Sequence, residues 1–134
     1  MINRQDVDLA TEWERSNPDI VVYTPRPGST DDQDNEHFLV IRSPSGNELL
    51  AFWTQSSSEA YGDNHIMLSR SSDAEHWNEP VRLAGVGTSP DALQASWQIP
   101  VVAGTGRLFC FYTKETTATD PANRQGNGSM GSLF

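Results

Sequence analysis

The feature that most constrains this chain is an internal echo. The stretch His37-Phe-Leu-Val-Ile-Arg-Ser-Pro-Ser-Gly46, followed by Leu49-Leu-Ala-Phe-Trp-Thr54, returns as Trp97-Gln-Ile-Pro-Val-Val-Ala-Gly-Thr-Gly106, followed by Leu108-Phe-Cys-Phe-Tyr-Thr113. The copies lie about 60 residues apart, near the long end of the periods that mark repeat architectures. Each copy reads as a hairpin, because two apolar runs rich in β-branched and aromatic residues flank a turn. Gly46 and Gly106 supply the positive φ that a tight turn needs. A self-contained β-sandwich requires no such repeat, so equivalent stacked units are expected instead.

Strands are read at about 37 to 44, 48 to 56, 64 to 71 and 80 to 85 in the first unit. The second unit has strands at about 97 to 104 and 107 to 115, a polar loop from Thr116 to Gly128, and the start of a third strand over Ser129 to Phe134. A four-stranded antiparallel meander is one propeller blade. The fold class expected is therefore all-β, a partial β-propeller of about two such blades, the first over 36–85 and the second, truncated, over 95–134. Blades bury their faces only against neighbours, and propellers close with about 4 to 8 of them. The expectation is that this is the N-terminal part of a longer protein, or that copies self-associate through open blade faces. Ahead of the blades, residues 1–18 form a polar extension whose Val7, Leu9, Ala10 and Trp13 suit one short helix. Ile20-Val-Val-Tyr23 reads as an extra strand within 19–25, and the loop from Pro25 to Asn35, rich in Pro, Gly, Ser and Asp, is expected to face water.

Between the third and fourth strands stands Ser71-Ser72-Asp73-Ala74-Glu75-His76-Trp77. A Ser or Asp side chain there bonds backbone amides two residues on, and a following aromatic folds back onto the sheet, so Ser71, Asp73 and Trp77 read as a structural staple with Trp77 its buried anchor. The segment resembles the Asp-box of sialidase-like β-propellers, Ser-x-Asp-x-Gly-x-Thr-Trp, one residue short and without the Gly and Thr. Trp97-Gln98-Ile99-Pro100 resembles the aromatic-Arg-Ile-Pro motif on the first strand of sialidases, with Gln98 in place of the Arg. The resemblance covers residues 36 to 134. It implies a six-bladed glycoside hydrolase of exo-glycosidase type, with the ligand mouth where the innermost strands start and the second-to-third-strand loops return, and the Asp-box on the opposite rim. In sialidases the Arg helps clamp a sugar carboxylate, and a charged pair contributes roughly 1.5 to 3 kcal/mol where a neutral hydrogen bond contributes about 0.5 to 1.5. Its replacement by Gln suits a neutral sugar.

Composition narrows the partners. The chain has 134 residues, 36% hydrophobic and 20% charged, with a net charge of −9 and no clustered basic residues, so no nucleic acid and no membrane partner is expected. No stretch is long and apolar enough to span a bilayer, and the first residues lack the apolar segment of a signal peptide. The one cysteine, Cys110, lies in an apolar run and reads as core. No P-loop, dinucleotide fingerprint, nucleophile elbow or zincin motif occurs.

The orientation implied by the resemblance selects the candidates. Asp63 and Glu36 are the catalytic carboxylates, since cleaving a glycosidic bond needs two groups flanking it, usually about 5 to 9.5 Å apart. His37, Tyr61, His65, Trp97, Gln98 and Arg124 are the substrate-binding set, with Trp97 the stacking platform for a carbohydrate ligand. His37 and His65 lack metal-binding spacing, so no metal and no cofactor is expected. Trp53 and Tyr112 occupy equivalent repeat positions, which favours core. The alternative reading is a non-catalytic carbohydrate-binding or interaction propeller.

Overall fold

The computed structural model describes residues 18–59, 62–89, 92–115 and 130–133, the last of these through the backbone alone. Among the described residues the fold is all-β. Strands β1 (Asp34–Arg42), β2 (Leu49–Ser56), β3 (His65–Ser71) and β4 (Val81–Gly85) form a four-stranded antiparallel sheet in sequential order. Strands β5 (Ala95–Val102), β6 (Leu108–Glu115) and β7 (Met130–Leu133) form a three-stranded one, also antiparallel and in order. The expected N-terminal helix, the whole Thr116 to Gly128 loop, Tyr61 and Arg124 lie outside the described residues.

The two hairpins are equivalent in backbone as well as in sequence. Leu39 pairs with Phe52 and Ile99 with Phe111, and each first strand shifts register just before that pair, between Glu36 and Leu39 and between Ser96 and Ile99. Inside each bulge a non-glycine residue, His37 in one and Trp97 in the other, adopts a left-handed φ of 55°. At the turns, Gly46 (φ 74°) and Gly106 (φ 76°) each donate 2.9 Å hydrogen bonds to the carbonyls of Ser43 and Ala103. The bulge also explains why β1 and β5 begin earlier than the apolar pattern does: beyond it, Asp34, Asn35 and Glu36 keep pairing with Ser56, Gln55 and Thr54.

Alternation along β2 sends Leu50, Phe52 and Thr54 to one face and Ala51, Trp53 and Gln55 to the other. On the first face Leu50, Phe52 and Leu68 form a cluster completed by Ile41 and by Cys110 of the second sheet. On the second face Ala51, Trp53 and Met67 pack under Val22, Tyr23 and Trp77. The first sheet is thus covered on both sides. The second sheet covers it with Cys110 and Gln98 and turns Ile99, Val101, Phe109 and Phe111 outward, where they stay exposed. Because Phe111 is the repeat equivalent of Phe52, the two sheets are stacked in the same sense; they do not present equivalent faces to each other across a shared core.

Two expectations about the N-terminal region are corrected. Residues 19–25 form no strand; Val22 and Tyr23 lie on the sheet through side chains only. The Pro25–Asn35 loop does not simply face water either, since the Asp32 side chain is fully buried. It accepts hydrogen bonds from the Tyr23 hydroxyl at 2.6 Å and the Arg26 backbone N–H at 3.0 Å, with the Arg26 guanidinium 3.5 Å away. Burial alone would raise the Asp32 pKa, but these donors outweigh it and hold the carboxyl down at about 2.

Candidate functional site

The bulged starts of β1 and β5 bring His37 and Trp97 together. Their rings meet edge to face with centroids 5.9 Å apart. A shallow groove of about 330 Å³ opens there, lined by His37, Phe38, Leu39, Trp97, Gln98 and Ile99. Trp97 is 41% exposed, and the Glu36 carboxylate stands at the rim, 3.7 Å from His37 Nδ1. Holding bulky residues at positive φ costs roughly 1 to 3 kcal/mol each. Here that conformation recurs at equivalent positions and sets an imidazole, an indole and a carboxylate around one opening. Such a set offers an aromatic face to stack on and polar atoms for hydroxyl groups.

Gln98 lies beneath the groove, 1% exposed, with both ends of its amide engaged. Its Oε1 accepts from Thr54 Oγ1 at 2.8 Å and its Nε2 donates to the His37 carbonyl at 2.5 Å. Thr54 Oγ1 also accepts the Trp97 N–H at 3.2 Å. The expected ligand contact from Gln98 is therefore replaced by a tie between the sheets that fixes the backbone under His37 and Trp97. Thr54, fully buried, is the member of this tie that the sequence reading missed; its position at the end of an apolar run carried no polar signal.

His65 is 1% exposed and so does not reach the groove or the surface. Its Nδ1 is 3.1 Å from the Asp63 carbonyl, while Nε2 has no partner, and burial pulls its pKa below the ordinary value. Asp63 turns its carboxylate onto the Ser57 N–H, with both oxygens at 3.2 Å, and so closes the β2–β3 loop. Glu36 and Asp63 share one end of the first sheet without forming a pair.

The turn after β3 closes on its own side chains, with Trp77 half-buried and not the buried anchor expected. Ser71 Oγ accepts from the Ala74 N–H at 2.8 Å, and Asp73 Oδ1 accepts from the N–H groups of Glu75 and His76 at 2.9 and 2.8 Å. The His76 backbone and imidazole, then the Glu75 N–H, hold the Asp73 carboxyl well below the usual carboxylate range. Ala74, at φ 71°, carries the left-handed step. Trp77 is half-buried, packing on the Ala51, Trp53 and Met67 cluster and donating from Nε1 to the Ala74 carbonyl at 3.1 Å.

A second, larger groove of about 590 Å³ lies on the opposite face of the first sheet. Its walls include Val21, Tyr23, Asn35, Phe38 and Trp53. The Tyr23 ring stacks on Trp53 at 5.3 Å, and the buried Trp53 Nε1 has no hydrogen-bond partner. Among the described residues no group of three His, Cys, Asp or Glu side chains converges to hold a metal ion. No protein-family model, curated protein or solved structure matches the chain.

Proposed function

We propose that the two sheets are consecutive blades of a sialidase-like β-propeller, and that the protein is a glycoside hydrolase binding a neutral glycan in the His37–Trp97 groove. The observation that carries this reading is the doubled bulge: two equivalent inner strands, each with a left-handed aromatic residue, aim Trp97 and His37 at a common opening. Stacking of a sugar face on Trp97 supplies affinity, and Glu36 and His37 supply hydrogen bonds. The groove lining contains no Lys or Arg, and the carboxylate at its rim repels an anionic sugar, so a neutral one fits better. In this reading Glu36 is the groove's catalytic carboxylate and Asp63 the second candidate, in the loop returning to the same end of the sheet.

A non-catalytic carbohydrate-binding propeller is the second reading. It is favoured by one observation, that the Asp63 carboxylate is already engaged by the Ser57 N–H. A hydrolysis and binding screen on neutral and sialylated glycans tests both readings. The first expects turnover of a neutral glycan that Glu36→Gln abolishes while binding persists. Binding without turnover selects the second, and a clear preference for sialylated glycans, or no glycan binding at all, defeats the assignment of the groove.

A further inference from the structure

Residues 18–33 run over the second face of the first sheet as a strap. They form no strand and are held there by side chains. Val22 and Tyr23 pack on the Ala51, Trp53 and Met67 cluster, Gln55 Nε2 donates to the Tyr23 hydroxyl at 3.3 Å, and the Asp31 carboxylate accepts from Arg82 Nη2 at 2.9 Å. The Asp32 bonds to Tyr23 and Arg26 lie within the strap, so they tie it to itself and not to the sheet. A segment without a backbone ladder to its neighbours opens at lower free energy than the sheet beneath it.

His65 lies under this strap. It pairs with Gln55 on β2 and with Gly85 on β4, so its ring shares the face that carries Gln55, Trp53 and Met67. Arg82 stands opposite Met67 on that face, and its Nη1 donates at 2.9 Å to the carbonyl of Val86, the residue after Gly85. The guanidinium is thereby laid beside the imidazole. The charged groups around the ring are Arg82 from β4, Asp31 from the strap and Asp63 from the β2–β3 loop, with the Tyr23–Asp32 pair one step further through Gln55.

None of these is placed to receive a second proton on the ring. Nδ1 is 3.1 Å from the Asp63 carbonyl, and the Asp63 carboxylate is turned away onto the Ser57 N–H. Nε2 is buried with no acceptor. Asp31, the carboxylate that would answer a positive charge, is already engaged by Arg82 and the Ser29 hydroxyl, and it rides on the strap. An imidazolium here is opposed by burial and by the like charge of Arg82, and lifting the strap relieves both by letting water in.

We propose that His65 is an acid latch, whose protonation releases the 18–33 strap from the first sheet while both sheets stay folded, uncovering the Trp53 face. The open form takes up the proton at the ordinary histidine value of 6.5 and the closed form only below it, so opening grows as pH falls through that range. The latch lies on the face of the first sheet opposite the His37–Trp97 groove and does not depend on the glycan reading.

Two-dimensional NMR of the full chain from about pH 7.5 to about 4.5 reads the latch and the strap together. The expected result is that the Val22 amide and the Trp53 indole, on which Tyr23 stacks, leave their neutral-pH positions with a midpoint below 6.5 that coincides with titration of the His65 imidazole, while the Phe52 and Leu68 amides keep theirs. His65→Gln should hold the closed positions over the whole range. Asp31→Asn, at a side chain 48% exposed, should raise the midpoint toward 6.5, because one tie of the strap is gone. Strap signals that hold from about pH 7.5 to about 4.5, the same opening in His65→Gln, or loss of strap and sheet signals in one transition would overturn the proposal.

Discussion

Ala74 holds the turn between β3 and β4 in a conformation that L-residues adopt at a cost of about 1 to 2 kcal/mol. Glycine adopts it freely but loses roughly 0.5 to 1 kcal/mol more backbone entropy on folding. Ala74→Gly is therefore expected to stabilise the protein by roughly 0.5 kcal/mol, read as a higher urea midpoint at unchanged slope; a lower midpoint would show that the turn tolerates the methyl group without strain. Two buried ionisable residues, Asp32 and His65, contribute to the response to acid alongside the exposed or partly exposed Asp31 and Asp73, whose carboxyls are also held below their ordinary value. Asp32, whose folded pKa is about 2, stabilises the fold on the order of 2 kcal/mol above about pH 4 and loses that contribution as pH falls toward about 2. His65 acts in the same sense in a higher window. Its depressed pKa means the unfolded chain takes up the proton first, so stability declines as pH drops below its ordinary 6.5. Urea midpoints measured from about pH 7.5 down to about 2.5 should show both declines, His65→Gln flattening the first and Asp32→Asn the second. Neither burial was legible in the sequence. Asp32 sits in a run of loop-forming residues, and only the distant Tyr23 and Arg26 show that its carboxyl is enclosed.

At the scale of elements, the tie through Gln98 joins the first and fifth strands and decides whether His37 and Trp97 stay side by side. Gln98→Met keeps the volume and removes both hydrogen bonds, so the His37 carbonyl loses its Gln98 donor and the Thr54 hydroxyl its Gln98 acceptor in a buried place, while Thr54 Oγ1 keeps the Trp97 N–H. The expected cost is about 2 to 4 kcal/mol. Thr54→Val should cost about 1 to 3 kcal/mol, and the double variant less than the sum by roughly 0.5 to 3 kcal/mol, since both remove one shared contact. Strict additivity in the cycle would mean that the two side chains act independently. The hairpins, their Gly turns and the Ser71–Asp73 staple were legible because each rests on local chemistry: alternation, a required positive φ, and side chains bonding amides two or three residues away. Gln98 was misread for the opposite reason. A polar residue at a strand start looks like a surface group, and its partners lie 44 and 61 residues away in the chain. The bulges at His37 and Trp97 were invisible too, since neither residue type announces a left-handed backbone.

For the whole molecule, the repeat announced equivalent units but not how unequally they are covered. Strand β2 runs between β1 and β3 with both faces packed, and its residues from Leu50 to Ser56 are all buried. Strand β6 has the same sequence pattern, yet from Leu108 to Thr113 it is exposed or half-buried, because among the described residues nothing lies on its outer side. Local opening follows such differences in packing. Amides of β2 are therefore expected to exchange with solvent only when the whole protein unfolds, while those of β6 exchange through a smaller opening of the second sheet. A protection factor at least tenfold lower in β6, equivalent to about 1.4 kcal/mol, is the expected result of hydrogen exchange. Equal protection in the two strands would mean that the sheets open together. In that case the Thr54–Gln98 tie and the packing of Cys110 on Phe52 would couple them more strongly than the bare outer face separates them.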